Sequence, residues 1–113
     1  MAPTTLDGQK STTCIYGRNP EINGNPVKMC ELLSTLTGPA YIARQSLCDV
    51  KHIVQAKKAI KKAFEHQING DGFTMVELLS SCPTNWHMTP EQALQYVAGD
   101  MENLYPLGVF KEV

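Results

Sequence analysis

The sequence has no C-x-x-C pair, no excess of one charge, no repeat and no long apolar run, and each absence removes a class of protein. Ten basic and eleven acidic residues leave a net charge of −1, which gives no electrostatic footprint for a nucleic-acid backbone. No apolar stretch approaches the ~18 residues that span a bilayer. Met1-Ala2-Pro3-Thr4-Thr5 has neither the charged nor the apolar region of a secretory signal. Without such a signal, Cys14, Cys30, Cys48 and Cys82 read as free thiols of a reducing, cytoplasmic compartment rather than as two disulfides. Without C-x-x-C, they do not read as a self-contained zinc site either. G-x-G-x-x-G and P-loop motifs are missing. What remains is 113 residues at 42% hydrophobic content, enough for one small domain with a core and too apolar for wholesale disorder.

Residues 1–24 carry no period and are rich in turn formers, so they read as loop. Some twenty structureless residues are long for a small domain, so the segment is either functional or lies against something else. Asn25-Pro26 reads as an N-cap and first helical position, with Met29, Leu32, Leu33 and Leu36 at helical spacing and Gly38 as the C-terminal cap. Ala40 to Ser46 is a short strand. Asp49 caps a second helix, Val50 to Ile68, whose buried stripe is Val50, Ile53, Val54, Ile60, Phe64 and Ile68. Lys51, Lys57, Lys58, Lys61 and Lys62 fall largely off that stripe. They read as a solvated face, with docking to an acidic partner as the sharper alternative. Asn69-Gly70-Asp71-Gly72 turns the chain into a second strand, Phe73 to Leu79. That strand is apolar on both faces except at Glu77, as expected when both sides are covered. Buried there, Glu77 needs an ion-pair or hydrogen-bond partner. Thr89 and Gln92 form a capping box around Pro90. The last helix then buries Ala93, Leu94, Val97, Met101 and Leu104, and residues 106–113 read as a tail. The order loop, helix, strand, helix, strand, loop, helix predicts an α/β fold with parallel strands flanked by helices. Two strands make a thin sheet with open edges, so the pattern looks like part of a larger one.

Ser81-Cys82-Pro83-Thr84-Asn85-Trp86 comes directly after the second strand. Open α/β sheets gather ligands just outside the carboxyl ends of their strands, so Cys82 is a soft ligand at the favoured place. Spacing alone leaves it as a core thiol, a nucleophile with His87 as base, or a metal or cluster ligand. Trp86 is expected to keep water from it. His52 and His66 are about four helical turns apart and cannot share a metal. Cys30 reads as a small core residue. Cys14 and Cys48 show no basic partner that would activate them.

Taken jointly, several segments resemble the beta subunit of 2-oxoacid:ferredoxin oxidoreductases of the 2-oxoglutarate or 2-oxoisovalerate type. They are Met1-Ala2-Pro3-Thr4-Thr5, Tyr16-Gly17-Arg18, Met29-Cys30-Glu31-Leu32-Leu33, Gly38-Pro39-Ala40-Tyr41-Ile42-Ala43-Arg44, Lys57 to Phe64, Cys82 to Trp86, and Tyr105-Pro106-Leu107-Gly108. The resemblance covers essentially the whole chain. It implies an incomplete thiamine-diphosphate-binding, Rossmann-like fold, with residues 1–113 as the C-terminal part of one such domain.

The resemblance also implies oxidative decarboxylation of a 2-oxoacid to acyl-CoA, with electrons passed through iron–sulfur clusters to ferredoxin. Cofactors of the parent enzyme would be thiamine diphosphate, magnesium and a 4Fe-4S cluster. Carried over by motif, Cys82 is one 4Fe-4S ligand and Pro3, Thr4 and Thr5 border the thiamine pocket; no catalytic residue lies in this chain. The family's acidic diphosphate motif and its upstream C-x-x-C are absent, which implies a fragment that binds no cofactor and turns over nothing alone. Implied partners are the remainder of the beta subunit, the alpha subunit, ferredoxin, coenzyme A and the 2-oxoacid, with no nucleic acid and no membrane. The alternative is a non-catalytic interaction module that docks an acidic partner through the lysine-rich helix.

Overall fold

The strand expected around Ala40 is the centre of the molecule. In the computed structural model, which describes residues 1–113, β1 (Tyr41–Ser46) lies between β2 (Thr74–Leu79) and β3 (Gly108–Glu112). β1 and β2 run parallel, joined by helix α3 (Val50–Ile68), while β3 pairs antiparallel with β1. The fold is a small α/β domain with a mixed three-stranded sheet. Two parallel strands were expected; the third comes from the segment read as a tail. Only Val109 and Phe110 mark it as a strand, and its Lys111 and Glu112 are the charged residues that an edge strand tolerates.

Helices α1 (Pro20–Asn23) and α2 (Met29–Ser34) precede β1. After β2 come α4 (Pro83–Trp86), α5 (Pro90–Tyr96), a π-helical turn (Val97–Met101) and α6 (Glu102–Leu104). The expected caps form where side chains can reach. Asp49 Oδ1 accepts the His52 N–H at 2.8 Å. Thr89 and Gln92 exchange bonds of 3.2 and 3.1 Å. The start of α2 differs from expectation. It begins at Met29, not Pro26, because the Val27 N–H donates to the Pro3 carbonyl and Asn25 O accepts from Arg18. Those bonds hold the segment extended. α2 also stops at Ser34, four residues before Gly38.

Arg18 organises the segment read as structureless. Only 6% exposed, its guanidinium donates to the carbonyls of Ala2, Pro3, Thr5, Asn23, Gly24 and Asn25 at 2.8–3.4 Å. A rigid fork of five N–H donors suits such a ring of acceptors.

The core has two parts, Leu79 with Val97, Met101 and Tyr105, and Tyr41 with Ala43 and Ala59. The stripe expected to bury α3 does not. Val50 is 76% exposed, Phe64 65% and Ile68 84%, and the helix buries only Ala56 and Ala59. β2 likewise buries only Leu79, although covering on both sides was expected. The reason is position: β2 is a sheet edge, and α3 carries more apolar surface than two strands can cover. An open trough remains along them, lined by Ile60, Ala63, Phe64, Met75 and Val76. No helix is long and apolar enough to cross a membrane.

Candidate functional site

Cys82 stands at the N-cap position of α4, three residues beyond the carboxyl end of β2, with Pro83 fixing the first helical position. Its thiol is exposed, and all four cysteines are unpaired. Two contacts hold this loop. Trp86 packs on the cluster of Leu79, Val97, Met101 and Tyr105 and meets the Tyr96 ring edge-on, 5.3 Å between centroids. The Thr12 N–H donates to Asn85 O at 2.9 Å. Trp86 was expected to keep water from Cys82; it instead faces inward and anchors the loop. His87 adopts a left-handed backbone, φ 57°, as the C-cap of α4, and its Nε2 lies 3.4 Å from Thr12 Oγ1. Its ring is turned to Thr12, and no hydrogen bond joins it to Cys82, so the thiol–imidazole dyad is not formed.

Through Thr12 the Cys82 loop meets the segment that contains Pro3, Thr4 and Thr5. The carbonyls of that turn are all engaged inward. Arg18 bonds Pro3 O and Thr5 O at 3.1 Å, and the Tyr105 hydroxyl donates to Thr4 O at 2.8 Å. Thr5 Oγ1 accepts the Ala2 N–H at 3.2 Å. The turn is therefore held from beneath, with no acidic group of its own to hold a magnesium ion.

Glu77 finds the partner it needed. Arg44, fully buried on the neighbouring strand, donates from Nε to Glu77 at 3.0 Å and from both terminal nitrogens to Glu31 at 2.8 and 2.7 Å. It also bonds Pro106 O and sits 5.1 and 5.0 Å from the Tyr105 and Phe110 ring centroids. Burial opposes the guanidinium charge, but the Glu31 bonds and the Glu77 carboxylate outweigh it and raise its pKa. The Arg44 bonds hold the Glu31 carboxyl below its ordinary range. Cys30 completes the cluster by donating to Glu77 at 3.1 Å; burial, aided by Glu77, pushes its thiol up to about 12. This is a structural clasp across α2 and all three strands. An arginine directly after the apolar run Tyr41–Ala43, inside the same strand, was the sequence signal for it.

The lysines of α3 are exposed, and Lys62 is bound to Glu112 at 2.6 Å. His66 bonds Asp71 and Glu112 at 2.8 and 3.3 Å and stacks on Tyr41, and those carboxylates raise its pKa. Cys48, expected to have no basic partner, lies 3.4 Å from His52 Nδ1, because both occupy the capping turn of α3 at a spacing of four. Cys48, His52 and Glu102 are the one group of three potential metal donors in the chain, and Cys82 is outside it. An iron–sulfur cluster at Cys82 would therefore draw its other ligands from beyond this set.

No protein-family model matches the chain, and no solved structure matches it. The ketoisovalerate oxidoreductase subunit VorA of Methanothermobacter thermautotrophicus is 46% identical over 112 residues, which is 99% of this chain and 24% of that protein. VorA of Methanothermobacter marburgensis is 46% identical over the same share of this chain and 23% of its own length. The 2-oxoglutarate synthase subunit KorB of Archaeoglobus fulgidus is 30% identical over 99% of this chain and 41% of its own. The chain thus spans about a quarter of the length of the VorA relatives.

Proposed function

We propose that this chain is the C-terminal part of the thiamine-diphosphate-binding beta subunit of a 2-oxoacid:ferredoxin oxidoreductase. The observation that carries the reading is the 46% identity running along 99% of the chain while occupying 24% of VorA. The uncovered stripe of α3 and the open edge of β2 support it, since a larger sheet with further helices would bury both. In this reading the whole enzyme decarboxylates a 2-oxoacid oxidatively, conserves the acyl group on coenzyme A and delivers electrons to ferredoxin. Its partners are the remainder of the subunit, the alpha subunit and ferredoxin.

Cys82 supplies one thiolate to a 4Fe-4S cluster. The thiol suits that role by chemistry and by exposure at a strand end, but the chain sets no further cysteine or histidine with it in a group of donors. When bound, thiamine diphosphate supplies the carbanion chemistry and the cluster the electron path. This chain's share is positional. Pro83 and the Trp86 anchor fix where the Cys82 sulfur stands. Arg18 and Tyr105 fix the Pro3-Thr4-Thr5 turn that borders the thiamine pocket.

The test is a chimera in which this sequence replaces the matched stretch of VorA from Methanothermobacter thermautotrophicus. It is assembled with that enzyme's other subunits and assayed for viologen reduction driven by ketoisovalerate and coenzyme A. The reading predicts turnover in the chimera, none from the 113-residue chain alone, and at least a hundredfold loss on Cys82→Ala. An inactive but assembled chimera, or full activity with Cys82→Ala, contradicts it.

A further inference from the structure

A second sulfur stands at the carboxyl edge of the sheet, on the strand next to that of Cys82. Cys48 lies two residues beyond β1, packed beside Leu79. Its Sγ is 3.4 Å from His52 Nδ1 and 3.6 Å from Glu102 Oε1, and the three donor atoms lie within 4.8 Å of one another. A tetrahedral zinc ion, with bonds near 2.3 Å to sulfur and 2.0–2.1 Å to nitrogen or oxygen, sets its ligand atoms about 3.5 Å apart. The two sulfur distances already match that edge. The donors come from three elements: the β1–α3 turn, the first turn of α3, and α6. Helical spacing of four brings Cys48 and His52 together. Glu102 is aimed by the π turn Val97–Met101 just before it. An extra residue in a helical turn rotates the next turn of helix by roughly 100° from its uninterrupted course, and such turns recur at functional sites.

Charge points the same way. Glu102 has no basic partner here other than through this cluster, and Asp49, whose Oδ1 lies 2.7 Å from the same His52 nitrogen, adds a second carboxylate. Two carboxylates and a thiol converge on a single imidazole. We propose that Cys48, His52 and Glu102 form a site for a divalent transition-metal ion of the zinc class. As the ion binds, the thiol proton leaves to solvent, the proton that His52 Nδ1 shares with Asp49 passes through solvent to Nε2 so that Nδ1 can coordinate, and Glu102 supplies oxygen. Three protein donors leave a fourth tetrahedral position for water. Borderline donors of N, S and O type favour zinc over magnesium or calcium. The ion fastens the end of β1 and the start of α3 to the C-terminal helix. The site stands independently of the proposed oxidoreductase function.

The experiment titrates cobalt(II), as a spectroscopic stand-in for zinc, into the reduced 113-residue chain under argon. The expected result is one equivalent bound, tetrahedral visible bands and a thiolate-to-cobalt charge-transfer band, all displaced by one equivalent of zinc. Cys48→Ser abolishes the charge-transfer band, Cys14→Ser and Cys82→Ser keep it, and His52→Asn and Glu102→Gln each weaken binding at least tenfold. Glu102→Gln changes a partly exposed side chain, so it decides the matter even if Cys48→Ser fails to fold. A chain with no charge-transfer band, a band lost with Cys82→Ser but kept in Cys48→Ser, or an affinity unchanged by Glu102→Gln overturns the proposal.

Discussion

Arg44 grips Glu31 through both terminal nitrogens, at 2.8 and 2.7 Å, from a position with no solvent exposure. One strand residue thereby ties α2 to β1, and its third nitrogen ties β1 to β2 through Glu77.

Removing Arg44 leaves two carboxylates and the Cys30 thiol facing a buried gap. Arg44→Ala should cost about 3–5 kcal/mol. Arg44→Lys cannot reproduce the fork and should also be clearly destabilising. Urea unfolding measures both, and a loss below about 1 kcal/mol for Arg44→Ala would show that the clasp is not what holds the sheet. Glu31 contributes to the acid limb of the stability curve. Its folded pKa is depressed, so its stabilisation is present above the ordinary carboxyl value and is lost as pH falls through the lowered one. Glu31→Gln should flatten that part of the stability–pH curve.

His66 gives the opposite sign. Asp71 and Glu112 raise its pKa, so its stabilisation is complete below its ordinary value near 6.5 and fades as pH rises through the folded value. The stability difference between the chain and His66→Gln should therefore shrink from pH 6 to pH 9. A difference that grows over that range contradicts the pairing.

Gly72 holds φ at +136°, and a Cβ there would sit 2.7 Å from the Gly38 carbonyl oxygen. Strain and collision act together at the entry to β2, where the Ala40 N–H meets Phe73 O at 2.7 Å. Gly72→Ala should cost about 1–3 kcal/mol by thermal or urea unfolding. An unchanged midpoint would mean that the turn relaxes freely.

Phe64 and Ile68 separate the stability of the chain from its assembly. Both are exposed here, so Phe64→Glu should change the isolated chain by no more than about 0.5 kcal/mol. In the VorA chimera the same change should prevent assembly, because the stripe is then buried. A fully active Phe64→Glu chimera contradicts the view that α3 packs against more of the subunit.

Sequence reasoning read best where structure is local. Asp49, Thr89 and Gln92 cap helices because their side chains reach only a few residues along the chain. It read least well where long-range partners decide. Arg18 looked like one residue of a loop, yet it closes that loop on six carbonyls. Val109 and Phe110 became a strand only because β1 had a free edge. The α3 stripe was correctly apolar and wrongly expected to be buried, because periodicity shows which face is apolar and not whether anything covers it. The position of Cys82 just after β2 was legible, and its role as a cluster ligand remains the proposal. The Cys48–His52 pair was written in a spacing of four that went unread, and Glu102 reaches it only through the fold.

The Cys82 sulfur is the most direct point of test, and electron paramagnetic resonance of the reduced VorA chimera reads it. The account predicts a 4Fe-4S signal that is lost or converted to a three-iron form by Cys82→Ala and untouched by Cys14→Ser. An identical cluster signal and iron content with Cys82→Ala would contradict it.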